Sequence, residues 1–196
     1  MKKASRHHWN YFLAIEDSLI RIARFIEFNN DNLNTYSIEL AHILLTASSE
    51  NDVLLKQICN KIEKHKKVNN INQYSTIIKE KIPEFINEKI YLHQYGLEYT
   101  PWLNWGKDST PNWWKSHNNV KHQRDNYFNE ANLYNALNAV SALLITVTYF
   151  YKLVLQEEYN EKSITIDINK TCELLFPKTG LFYFKNEYHR HLTYFF

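Results

Sequence analysis

The sequence LYNALNAVSALLITVTYFYKLVLQ, residues 133–156, decides the fold of this chain. Large apolar residues recur along it at alternating spacings of four and three, which is the period of one face of an α-helix. They are Leu133, Leu137, Val140, Leu144, Val147, Tyr151 and Val154. We predict a helix over 129–156 that forms the centre of the core. We expect no membrane span, because Asn135 and Asn138 limit the apolar run to 139–151 and a span needs about 20 apolar residues.

The rest of the chain has the composition of one folded, mainly helical domain. Its 196 residues suit a single domain, and the 44% hydrophobic and 15% aromatic residues provide a core and exclude intrinsic disorder as the main state. Only 3 Gly and 4 Pro interrupt the chain, as is typical of helices. The formal charge of +2 excludes a surface built mainly for nucleic acid. Any phosphate-binding site must therefore be local.

The cysteines and the first residues indicate the compartment. Cys59 and Cys172 are far apart and form no C-x-x-C motif, so the sequence predicts neither a disulfide scaffold nor a cysteine zinc site. Glu16 and Asp17 interrupt the apolar segment that follows the basic start, so no export signal is evident. We expect a reducing, cytoplasmic location.

Periodicity outside 129–156 predicts four further helices and two extended regions. The helices cover 6–28, 35–64, 74–81 and 112–124, and the second continues across the polar residues 48–52. Residues 86–108 lack helical spacing, and strand-like patterns occur at 164–168 and 182–184. The predicted fold class is all-α, a helical bundle with small extended or β parts in the middle and near the C-terminus. We expect one domain over 1–196, with a core at 6–156 and a C-terminal appendage at 157–196.

The densest group of chemically active side chains lies in WWKSHNNVKHQR, residues 113–124. In a helix, one face would hold Trp114, Asn118, His122 and Asp125, and the neighbouring face Trp113, His117, Val120 and Arg124. Lys115, Lys121 and Arg124 surround His122 with positive charge. An imidazole exchanges a proton near neutral pH and cations stabilise a charged phosphate, so this group can support RNA cleavage without a metal. The structural alternative is that the Trp residues anchor the helix and the polar residues are solvated.

Two carboxylates on the predicted second helix could approach this group. Glu39 and Glu50 lie on a stripe next to the apolar face of that helix. Because a buried carboxylate is costly unless it is paired, we expect Lys121, His122 or Arg124 as a partner. Such a carboxylate would either orient His122 or form a structural ion pair.

The pattern W-W-x-x-x-N-x-V-K-H-x-R at 113–124, followed by Phe128, A-N-L at 131–133 and N-A-L-N-A at 135–139, resembles bacterial proteins of the HEPN superfamily. The resemblance implies an all-helical fold. In active HEPN proteins a related motif supports metal-independent ribonuclease activity at a dimer interface, often in toxin–antitoxin, abortive-infection or CRISPR-linked defence systems. Inactive members bind nucleotides or proteins.

The resemblance also implies roles for individual residues. HEPN proteins carry an Arg four to six residues before a His, whereas here Lys115 precedes His122 and Arg124 follows it. Lysine lacks the planar fork with which arginine binds phosphate. By resemblance, His122 is the candidate base on the ribose 2′-hydroxyl, and Lys115 or Arg124 holds the phosphate. The candidate substrate-binding residues are Asn118, Asn119, Lys121 and His117.

Three functional hypotheses remain open at this stage. The first is a divergent HEPN-like ribonuclease or RNA-binding protein, a homodimer, with an antitoxin or other protein as a further partner. The second is a non-catalytic helical module that binds a nucleotide or a protein, and the third is an assembly role, favoured by the aromatic C-terminus 194–196. We expect no cofactor and no metal, because His7–His8 and His189–His191 each supply at most two ligands.

Overall fold

A computed structural model describes residues 6–159 and 165–185 of the chain. The fold is mainly helical with one small sheet, which confirms the predicted fold class. The helices are α1 (His7–Ile22), α2 (Ile38–Ile62), α3 (Ile71–Lys81), α4 (Asn112–His122), α5 (Arg124–Tyr127), α6 (Leu133–Tyr159) and α7 (Ile168–Leu174). The strands are β1 (Ile90–Leu92), β2 (Leu97–Tyr99) and β3 (Tyr183–Phe184).

Helix α6 is the centre of the molecule, as predicted. It packs most extensively against α2 and also contacts α1, α4 and α7. Nearly all side chains from Leu133 to Tyr151 are buried, because other elements cover every face of this part of the helix. Within the described residues, α6 is the one helix long and apolar enough to cross a membrane, and 83% of its most apolar window is buried inside the fold.

Helix α2 is one continuous helix, as predicted, although polar residues lie in its middle. Ser37 caps its first turn by accepting a hydrogen bond from the backbone N–H of Leu40 at 3.1 Å. Asn51, which is fully buried, donates from Nδ2 to the carbonyl of Ala47 in its own helix and to that of Ala139 in α6. The polar patch therefore joins two core helices and does not break α2.

The middle of the chain forms a small antiparallel sheet with one-turn helices around it. β1 and β2 pair as a hairpin whose connection ends at Gly96, the residue with φ of 64°. β3 pairs with the other side of β1, so the strand order is β2-β1-β3. Beside the sheet, Trp102 and Trp105 are almost fully buried. This segment therefore packs as part of the core.

The C-terminal segment corrects one prediction. Residues 165–167 form no strand, and α7 begins at Ile168, because the Asp167 side chain accepts a hydrogen bond from the N–H of Lys170 at 2.7 Å and caps the helix. Ile164 lies outside the described residues, as do 189–191 and the aromatic residues 194–196. The predicted second extended element is present as β3. Side chains of this segment belong to the same core cluster as α6, namely Cys172, Leu175, Leu181, Phe182 and Phe184.

A buried carboxylate holds this segment against α1. Glu16 is 3% exposed. Its Oε1 accepts hydrogen bonds from the hydroxyl of Thr179 at 2.6 Å and from the N–H groups of Leu181 and Phe182 at 2.9 and 3.2 Å. Its Oε2 accepts a fourth bond, from the N–H of Gly180 at 3.0 Å. Four donors in one loop thus satisfy the carboxylate, as a buried charge requires.

Candidate functional site

Helix α4 carries the candidate residues, and two tryptophans fix its position. It begins directly after Pro111, as predicted. Trp113 and Trp114 are 2% and 6% exposed, and the indole N–H of Trp113 donates to the carbonyl of Pro101 at 2.9 Å. Val120 is fully buried on the same side. The remaining side chains of α4 therefore face outward from an anchored helix.

His117 is separated from the other candidate residues by burial. It is 7% exposed, its ring packs edge-on against Trp114, and its Nδ1 is buried without a hydrogen-bond partner. Burial lowers the pKa of His117 to about 4, and the positive charges of Lys121 and His122 lower it further in the same direction. This histidine is a neutral core residue at pH 7. The predicted contact between His117 and a substrate would require a side chain that the structure buries.

The other candidate residues of α4 are exposed together near its C-terminal end. They are Lys115, Asn118, Lys121 and His122, followed by Arg124 at the start of α5. The charges of Lys121 and His122 both act on His117, which shows that these groups are close to one another. Among the described residues, no carboxylate forms an ion pair with Lys115, Lys121 or Arg124. We call Lys115, Lys121, His122 and Arg124 the cationic cluster.

Asn119 faces the loop before α6. Its Nδ2 donates to both carboxylate oxygens of Glu130, at 3.0 and 3.3 Å. The backbone carbonyl of Glu130 accepts a bond from Asn135 Nδ2 at 2.9 Å. Asn119 is thus a structural link between α4 and α6, which leaves Asn118 as the exposed amide beside the cationic cluster.

A groove lies next to the cationic cluster, between α5 and the first turns of α2. It has a volume of about 500 Å³ and is lined by Ile38, Ala41, His42, Arg124, Asp125 and Phe128. At its edge the ring of Phe128 packs edge-on against Tyr36, with 5.5 Å between ring centres. Tyr36 and Ile38 are 51% and 64% exposed. We call this the aromatic groove; it combines exposed apolar surface with the guanidinium of Arg124.

The two candidate carboxylates have partners other than the predicted ones. Glu50 accepts a hydrogen bond from Nδ1 of His8 in α1, and both side chains are nearly buried. Glu39 is exposed and lies 3.8 Å from Nδ1 of His42, one turn further along α2. The expected pairing with Lys121, His122 or Arg124 is therefore wrong, because α1, and not α4, covers this part of α2. Neither carboxylate orients His122.

The sequence analysis missed His42 and Tyr36, which belong to the aromatic groove. A usable signal was present in the segment Y-S-I at 36–38: an aromatic and an aliphatic residue flank the N-cap Ser37, where a helix start is expected. Their exposure depends on which elements pack against that start, and a single sequence does not contain this information.

The burial of His117 makes the stability of the protein sensitive to acid. The unfolded chain binds a proton at His117 below pH 6.5, whereas the folded protein does so only near pH 4. Stability is therefore highest above pH 6.5 and is lost as the pH falls from 6.5 to 4. We expect wild-type protein to lose about 2 kcal/mol more between pH 7 and pH 4.5 than the His117→Phe variant. Urea unfolding of both proteins at the two pH values measures this difference, and equal losses would contradict it.

The described residues contain no group of three or more His, Cys, Asp or Glu side chains placed to hold a metal ion. Cys59 is buried, which raises the pKa of its thiol to about 12. The thiol is therefore protonated and unreactive at pH 7. Compared with protein-family models, curated proteins and solved structures, the chain matches none of them.

Proposed function

We propose that this protein binds single-stranded RNA through the cationic cluster and cleaves it with His122 as the base. Support comes from the unpaired charges of Lys115, Lys121 and Arg124 around an exposed imidazole. Elsewhere, lysines next to carboxylates form ion pairs with them, at Lys61, Lys79, Lys81, Lys89, Lys152 and Lys170. Cations without a protein partner are available to the phosphates of a nucleic acid.

The aromatic groove supports RNA over a simple anion as the ligand. Single-stranded nucleic acids bind where positive charge runs beside aromatic rings on which bases stack. Arg124 lies between the cationic cluster and the rings of Tyr36 and Phe128. A chain whose phosphate contacts Arg124 can thus place a base on Phe128 or Tyr36.

The proposed chemistry requires a base and positive charge near one phosphate. Neutral His122 would take the proton from a ribose 2′-hydroxyl, whose oxygen then attacks the neighbouring phosphorus. The bond from phosphorus to the 5′-oxygen breaks, and this oxygen takes a proton from water, so a 2′,3′-cyclic phosphate and a 5′-hydroxyl result. Lys115, Lys121 and Arg124 would stabilise the additional negative charge in the transition state.

The resemblance to the HEPN superfamily supports the same proposal and extends it. It suggests a homodimer, a cytoplasmic location and a role in prokaryotic defence or as a toxin held in check by a partner protein. The groove between α1 and α2, lined by Tyr11, Ile15 and Ile43 among others, offers apolar surface for a second copy or such a partner.

We expect His122→Ala to lower RNA cleavage by about 100-fold or more, because it removes the base. Binding of the same RNA should change less than threefold, since the cations remain. The matched control is His65→Ala, which removes another exposed histidine and should leave both activities unchanged. Product analysis by gel and binding by fluorescence anisotropy measure the two effects. Equal cleavage by wild type and His122→Ala would refute the catalytic role.

Removal of the cluster's charges should weaken RNA binding at any sequence. We expect the triple variant Lys115→Ala, Lys121→Ala, Arg124→Ala to bind RNA at least tenfold more weakly, with a shallower dependence on salt by about 0.7 per lost phosphate contact. The control triple, Lys64→Ala, Lys66→Ala, Lys67→Ala, removes the same charge from an exposed segment after α2. A larger loss in the control would place the RNA on that segment. Binding without any product would favour the non-catalytic module.

A further inference from the structure

A second cavity lies at the opposite end of α4 from the cationic cluster. Its volume is about 390 Å³, within the size range of small-molecule sites. The side chains that define it are Asn30, Asn104, Asn112, Asn138, Tyr99 and Tyr134, with Trp113 in its wall. We call it the amide pocket. No residue of the sequence motif other than Trp113 contributes to it.

The chemistry of the amide pocket selects an uncharged ligand with both donors and acceptors. No Lys, Arg or His lines it, and its one carboxylate, Glu98, is bonded to Lys89 at 2.9 Å. Among the described residues, the side-chain amides of Asn30, Asn104 and Asn112 have no hydrogen-bond partner, and each offers a donor and an acceptor. Asn138 uses only one N–H, towards the carbonyl of Tyr134 at 3.0 Å.

The aromatic wall of the pocket selects a flat ligand. Tyr99 and Tyr134 pack edge-on with 6.1 Å between ring centres, and Tyr134 is 42% exposed. The hydroxyl of Tyr99 is buried without a hydrogen-bond partner. A flat, neutral group with donors and acceptors along its edge is a description of a nucleobase, and Asn amides bind such edges through two hydrogen bonds.

The exposed face of α4 connects the amide pocket to the cationic cluster. Asn112 lines the pocket, and the exposed residues Lys115, Asn118 and His122 follow it at spacings of three and four. Such residues lie on one face of a helix, and His122 is about 15 Å from Asn112 along the axis. A single RNA strand along this face would pass both sites.

We propose that the amide pocket binds one unpaired base of the RNA whose phosphate lies at the cationic cluster. This inference rests on the proposed function and adds a sequence preference to it. The base would lie a few nucleotides from the cleaved bond, because the length of α4 separates the two sites. Cleavage would then occur at a fixed distance from a preferred base.

Binding of free nucleosides tests the pocket without RNA cleavage. We expect saturable binding of one or two of adenosine, guanosine, cytidine and uridine by ligand-observed NMR, with ribose alone not binding. Asn104→Leu and Tyr134→Ala should each weaken this binding about tenfold. Asn72→Leu, an exposed amide in α3, is the matched control and should have no effect. Binding of ribose as strong as that of the nucleosides, or no binding at millimolar concentration, would overturn the proposal.

The cleavage pattern on a mixed-sequence RNA separates this inference from the proposed function. If both are right, wild type cuts at a fixed distance from a preferred base, and Asn104→Leu and Tyr134→Ala cut at the same overall rate without that preference. An unchanged pattern in both variants would overturn the pocket inference while leaving His122 as the base. Nucleoside binding with no RNA cleavage would support the pocket and overturn the proposed ribonuclease activity.

Discussion

Glu16→Ala is expected to lower the free energy of unfolding by about 3 to 5 kcal/mol, because it removes an acceptor on which four donors depend. The hydroxyl of Thr179 and the N–H groups of Gly180, Leu181 and Phe182 would lose their partner in a part of the fold that water hardly reaches. The melting temperature should fall by about 10 °C. Calorimetry and urea unfolding measure both quantities.

Two variants control this experiment. Asp17→Asn removes the neighbouring carboxylate, which is exposed and pairs only with Arg21, and should change stability by less than about 0.5 kcal/mol. Glu16→Gln keeps one oxygen and should lie between the wild type and Glu16→Ala. A Glu16→Ala protein as stable as Asp17→Asn would show that the carboxylate does not hold the C-terminal segment.

Asn51→Asp is expected to have a comparable effect at pH 7, about 3 to 5 kcal/mol, through a different physical cause. The Nδ2 of Asn51 donates to the carbonyls of Ala47 and Ala139 at 3.0 and 3.1 Å. In the variant a carboxylate oxygen would face these two carbonyl oxygens without a donor and without water. Only the hydroxyl of Thr146, 2.7 Å from Oδ1, would still bond the side chain.

Asn51→Leu separates the cost of the charge from the loss of hydrogen bonds. Leucine has a similar volume and no charge, and both backbone carbonyls keep their helical bonds, so we expect a loss of only about 1 to 2 kcal/mol. Chemical unfolding of both variants at pH 7 measures the difference. An equal loss in the two variants would mean that packing, and not polarity, sets the requirement for asparagine here.

The helices could be predicted from the sequence because each carries its own periodic apolar face. Helix α6 follows the spacing from Leu133 to Tyr151, and α4 begins after Pro111 as expected. The alternation of isoleucines at 164–168 misled the prediction, because Asp167 caps α7 and a cap outweighs a short alternating pattern. Local signals of comparable strength thus compete, and the tertiary contacts of α7 with α6 decide between them.

The candidate site could be predicted only in part, for a related reason. The motif located α4, and the structure brings Lys121 and His122 close together. The burial of His117 and the pairing of Glu50 with His8 depend on partners far away in the sequence. Glu16 was the one long-range feature with a local signal, since it interrupts the buried face of α1 between Phe12 and Leu19. The periodicity shows that such a residue is buried and does not show what satisfies it.

The order of strands in the small sheet affects how the protein is made. β1 lies between β2, which follows it at once, and β3, in which Tyr183 pairs with Tyr91. During translation, the hairpin leaves the ribosome long before β3, so one side of β1 stays unpaired while the core helices assemble. An open strand edge recruits other chains. Stalled or truncated products that lack residues 183–184 would keep this edge open, and we expect them to aggregate or be removed by cellular proteases.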